Sequence, residues 1–142
     1  MTTINTQSEK HLERNQWIQL GVITAVASVV AVLIVQALAI AIWPDIVLFK
    51  PLDSYVRTAV FTAVPAVGAT VLFAWLDRHK PQPVKTFINI AAVVLILSII
   101  PDYLIPVVHK TFLASTVTAF LHVVAAIVTV FALVIGYRRQ MS

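Results

Sequence analysis

Apolar residues fill four stretches of this chain, approximately 17–43, 55–76, 87–108 and 112–137, and polar residues crowd into the short segments between them. Each stretch is close to the ~20 apolar residues that carry an α-helix across ~30 Å of hydrocarbon. All the Trp and Tyr residues fall at the ends of these stretches: Trp17, Trp43, Trp75, Tyr55, Tyr103 and Tyr137. Aromatic belts lie at that level of a membrane helix. The pattern predicts an all-α fold, a polytopic four-transmembrane-helix bundle over 17–139. A polar cytoplasmic tail, 1–16, precedes it, and a short cytoplasmic end, 140–142, follows.

Composition narrows the class further. Hydrophobic residues make up 60% of the chain and charged ones 11%, against about 25% charged in soluble domains. With no cysteine, disulfides, thiolate metal sites and iron–sulfur clusters are excluded. Lys10, Arg14, Arg78, Lys80, Lys85, Arg138 and Arg139 fall on one side of the predicted spans, and Lys50, Arg57 and Lys110 on the other. This bias puts both termini in the cytoplasm of a multi-pass cell-membrane protein and makes the net charge a topology signal, not a sign of nucleic-acid binding. The first stretch follows Lys10 and Arg14 and ends in small residues, as a signal peptide would. Its apolar core, 20–42, is far longer than the ~7–15 residues of a signal's hydrophobic region, so an uncleaved first helix is expected.

Between the spans, the loop 45–53 carries Ile46, Val47, Leu48 and Phe49 and is expected to lie flat at the headgroup boundary. Asp53 and Ser54 offer N-cap oxygens to the second helix. Asp77 opens a polar, Pro-containing internal loop. In the tail, residues 8–14 read as a short charged surface helix or a solvated segment. The third span is Pro-interrupted: residues 87–100 rise only ~21 Å, so the segment from Pro101 to Pro106 must help complete the crossing. Asp102 is thereby expected at or just inside the outer headgroups.

Several polar positions recur at helical spacing. In the fourth helix Thr111, Ser115, Thr118, His122, Ala126 and Thr129 form one narrow face that should point into the bundle. His122 stands ~15 Å below Phe112, near the midplane, where an ionisable side chain is either helix glue or a functional group. Gly21, Thr24, Ala25, Ser28, Val32 and Gln36 form a stripe on the first helix. Thr58, Thr62, Pro65 and Ala69 share a side of the second, with a kink expected at Pro65. The candidate ligand-binding residues are therefore His122, Thr118, Ser115, Gln36 and Thr62. Arg57, Asp102, Tyr103 and His109 are candidates for a polar outer vestibule. Arg57 has two available partners, Asp102 across the helices or Asp53 one turn away.

No motif names a catalytic residue, a metal site or a cofactor. Haem ligation lacks a second His at matching depth, because His109 is external and His11 and His79 are cytoplasmic. The chain is similar in size and helix number to small multidrug exporters, but their first-helix glutamate has no counterpart here, where Ser28 and Gln36 stand. The four-span plan, with the Trp43-Pro44 exit, the Pro-interrupted third span and the stretch from Phe120 to Ala126, resembles small bacterial four-helix membrane proteins grouped in families of unknown function. That resemblance implies topology without an activity. The expected role is a non-catalytic accessory or assembly subunit, or a bundle that binds a lipid-like ligand. The alternatives are a redox or transport component using His122 for a quinone, pigment or proton relay, and a self-associating pore. Expected partners are the lipid bilayer and a homo-oligomer or larger membrane complex, with no nucleic acid.

Overall fold

The structure, a computed structural model, describes residues 10–142. Among these residues there are four long helices and no strand: α1 (Arg14–Ile42), α2 (Tyr55–His79), α3 (Pro83–Leu104) and α4 (Phe112–Met141). All four are long and apolar enough to cross a membrane. Lys10 Nζ lies 3.5 Å from the carbonyl oxygen of Met141, so both described chain ends meet at one end of the bundle. We call that end terminal and the opposite one distal.

Local chemistry sets the helix boundaries. At the start of α1 the Glu13 N–H donates to Gln16 Oε1 at 2.8 Å, and at its end Pro44 disfavours helical backbone in the residue before it. Ser54 Oγ accepts the Arg57 N–H at 3.2 Å to cap α2, and Thr111 Oγ1 accepts the Ala114 N–H at 3.0 Å to cap α4. Pro83 sits in the first turn of α3, where its missing N–H costs nothing. Helix α3 therefore starts four residues before the expected span and ends at Leu104, and its 22 residues rise ~33 Å. Compared with the segment 87–100 alone, the crossing is completed by this early start and by continuing through Pro101 to Leu104, while 105–111 forms a connecting turn with His109 at φ 60°. Helix α2 also runs unbroken through Pro65.

Helix α1 packs against both α2 and α4, and α3 closes the square against α4 and, more loosely, α2. The small and polar stripe of α1 forms its seam: Gly21, Thr24, Ser28, Val32 and Gln36 are all buried. Two glycines set the close approaches. A Cβ at Gly21 would stand 2.9 Å from Thr70 Cγ2, and one at Gly136 would stand 2.2 Å from Leu20 Cδ1. Helix α3 buries only Phe87, and the outward faces of all four helices carry large apolar side chains, as lipid contact requires.

Each end of the bundle has its own apolar cluster. At the terminal end Trp17, Phe73, Phe87 and Tyr137 join through ring contacts, with Phe73 and Phe87 stacked at 4.6 Å. At the distal end the segment after α1 folds into two short 3-10 turns, Pro44–Leu48 and Lys50–Leu52. The loop thus folds onto the bundle end and buries part of its apolar surface there. Ile46, Phe49 and Leu52 are buried against Val32, Ala114 and Val117, while Val47 and Leu48 point outward. Gln36 Nε2 holds the fold-back in place by donating to the Leu52 carbonyl at 3.2 Å.

Asp77 also departs from expectation. It lies inside α2, buried, and not in the internal loop. Its carboxylate accepts the Tyr137 hydroxyl at 2.6 Å and the Leu12 N–H at 3.4 Å. His11 Nδ1 lies 3.5 Å away. Residues 10–13 are accordingly non-helical, with Leu12 buried in the terminal cluster. The remainder of the expected tail lies outside the described residues.

Candidate functional site

Two polar side chains meet inside the bundle. His122, on the inner face of α4, places Nε2 3.2 Å from Oδ2 of Asp102 on α3. His122 is ten residues into α4, ~15 Å from its distal end, so Asp102 reaches the same depth. Helix α3 ends at Leu104, and the seven residues 105–111 that lead to α4 leave room for that position. It lies deeper than a count from the expected end of the third span would place it.

The carboxylate has few other partners. Asp102 Oδ2 is fully buried, and no N–H or O–H is aligned on it for a hydrogen bond, so the His122 contact is one of charge and proximity. The Asp102 side chain is 12% exposed and that of His122 40%. In an apolar setting a lone carboxylate or imidazolium is expensive, and the closeness of a group of opposite character offsets part of that cost.

This pair lines a cavity of about 890 Å³ between α2, α3 and α4. Its walls are mostly aliphatic, with polar groups from Thr58 and Thr62 on α2, Ser98 and Asp102 on α3, and Thr118, His122 and Thr129 on α4. Lys50, Pro51 and Leu52 of the folded-back loop form the distal cap, and Phe87 closes the terminal end over the aromatic cluster. Along the α2–α3 seam the lining residues Phe61, Pro65, Gly68 and Val94 are exposed on the bundle's lateral surface. The cavity therefore opens sideways, where a membrane would place acyl chains. A Cβ built on Gly68 meets nothing within 4 Å, which leaves the opening wide at that point.

Most hydroxyls on these walls spend their proton on their own helix. Thr58 donates to the Ser54 carbonyl at 3.1 Å, Ser98 to Val94 at 2.7 Å and Thr118 to Ala114 at 3.0 Å. Thr129 shares a 2.9 Å hydrogen bond with Ser28 of α1. Thr62 Oγ1 has no protein partner among the described residues, although its side chain lines the cavity.

Of the ligand-binding candidates read from the sequence, the cavity unites His122, Thr118 and Thr62. Ser115 and Gln36 stand outside it, buried in the contacts around α1 and the loop. Among the vestibule candidates, Arg57 and Asp102 line the cavity, but they do not pair with each other. Arg57 takes the local option, binding Asp53 and the Lys50 carbonyl. Tyr103 donates to Thr116 Oγ1 at 3.1 Å and lies outside the cavity, as does the exposed His109. Sequence reasoning missed the Asp102–His122 pairing, whose signal is an acid and an imidazole on neighbouring spans. Among the described residues no cluster of three or more His, Cys, Asp or Glu side chains is arranged to hold a metal ion.

Residues 12–139 match the family described as a family of unknown function, DUF6069. No curated protein and no solved structure matches the chain.

Proposed function

We propose a ligand-binding role for this chain, which belongs to the DUF6069 family of unknown function. Membership supplies no activity, so the reading rests on the bundle itself. The chain is an integral membrane protein that takes a lipid-like amphiphile from the bilayer into the cavity between α2, α3 and α4. The observation that carries this is the 890 Å³ space with a His–Asp pair on its wall, a volume within the ~300–1,000 Å³ of ordinary ligand pockets. The apolar walls suit a chain, and Asp102 and His122 suit a head group. No catalytic group is invoked.

The charge distribution orients it. Seven of the ten Lys and Arg residues fall on the terminal side, which by the positive-inside bias is the cytoplasmic face of the cell membrane. The side opening then lies near the middle of the bilayer, at about the depth of His122.

Native mass spectrometry of the protein, extracted mildly from its own membrane, tests the role. The expected result is one small-molecule mass per chain, lost in His122→Ala while the chain stays folded. A chain without ligand, bound to a different polypeptide, would replace this reading with that of an accessory subunit. A redox or transport role through His122 would instead require a retained pigment or quinone mass, or a proton flux abolished by the same substitution.

A further inference from the structure

We infer that the head group this cavity recognises is a hydroxyl, carried on a single-chain lipid alcohol. The inference rests on the ligand-binding reading above and specifies its chemistry. It follows from a count of donors and acceptors on the cavity wall.

Acceptors dominate. Thr58, Ser98 and Thr118 have each committed their proton to a backbone carbonyl and present only lone pairs to the cavity. Pro65 has no N–H, so the carbonyl of Phe61, one turn earlier and also on the wall, loses its helical donor. Asp102 Oδ2 is buried without an aligned donor. Close to Asp102 the unspent donors are few, the Thr62 hydroxyl and the His122 ring; the Lys50 ammonium and the remaining N–H groups of Arg57, whose Nη1 binds Asp53 and the Lys50 carbonyl, belong to the distal cap.

A ligand that fills the cavity displaces whatever water reaches Asp102, and from then on its head must supply the missing donor. Ether, ester and quinone oxygens only accept, and would leave Asp102 Oδ2 without an aligned donor in a dry site. An ammonium group can donate, but it has no lone pair with which to accept from Thr62 or the His122 ring. A hydroxyl both donates and accepts without changing the net charge. It gives its proton to Asp102 and accepts from Thr62 or His122. The cavity volume accommodates the head and one chain, and the opening beside Gly68 lets the rest of the chain run out into lipid.

Three probes with the same chain decide the question: farnesol, farnesyl methyl ether and farnesylamine. Each is titrated at matched mole fraction into detergent micelles holding the purified full-length protein, and the thermal denaturation midpoint is followed. Farnesol is expected to bind about tenfold more tightly than the ether, the change that a hydrogen bond to a charged partner makes. This preference should collapse toward one in Asp102→Asn and shrink in Thr62→Val. Gly68→Leu, whose Cβ meets no neighbour and whose longer side chain extends into the opening, should abolish the response to all three. Equal binding of alcohol and ether, or tighter binding of the amine, with Gly68→Leu still blocking, would overturn the hydroxyl inference and leave the cavity reading intact. If no probe distinguishes the wild type from Gly68→Leu, the cavity reading itself fails and takes this inference with it.

Discussion

Asp102 and His122 each relieve a cost that the other would carry alone, because an unpaired ionisable group facing hydrocarbon is penalised far more than a matched pair. Truncating one partner is therefore worse than removing both. His122→Ala should lower stability by about 1–3 kcal/mol, the cost of leaving the buried carboxylate without its one close polar neighbour. The double replacement Asp102→Leu with His122→Leu should fall closer to the wild type. Unfolding by sodium dodecyl sulfate in mixed micelles measures both, and a double variant less stable than His122→Ala would contradict the argument. The sequence placed each residue on its own helix but not beside the other. His122 was legible as an inward-facing group from the three-and-four spacing of α4. Its partner was not, because the relative height of two helices depends on where α3 begins and how 105–111 climbs, and neither is a periodic property. Asp77 was hidden for a similar reason. Its burial depends on the Tyr137 hydroxyl arriving from 60 positions away.

At the scale of elements, the four long helices were legible because nothing except an α-helix satisfies so many backbone groups within one apolar stretch. The fold-back after α1 was less so: Ile46, Val47, Leu48 and Phe49 look alike as hydrophobic residues, and only the 3-10 turns decide which of them face inward. Gln36 secures that arrangement through the Leu52 carbonyl. Gln36→Leu should loosen 46–52 and accelerate its backbone hydrogen exchange while leaving α1 protected, and unchanged exchange there would show that the apolar contacts suffice. Helix α3 is the least anchored of the four, with Phe87 its only buried side chain. Its amides should exchange faster than those of α1 in detergent, since sparse packing lowers the free energy of local opening.

For the whole molecule, the square of helices is tight on the α1 side and open at the α2–α3 seam, so stability and occupancy are separable. Gly68→Leu adds a better helix former at a position where no neighbour is crowded. It should leave the unfolding midpoint unchanged or raise stability by up to about 1 kcal/mol. Circular dichroism during detergent unfolding reads this directly, and a large loss of stability would mean that the space beside Gly68 is needed for packing.

The loop cap and the aromatic floor bound the cavity at its two ends, and the α2–α3 seam bounds it least. On the ligand-binding reading proposed above, a molecule arriving through that seam would be drawn from the leaflet, and its filling of the site would follow its mole fraction among the lipids, not its amount per volume of medium. Diluting the cells would then change nothing, whereas altering the make-up of the bilayer would change occupancy. On that reading the fold would have the geometry of a gauge of membrane composition.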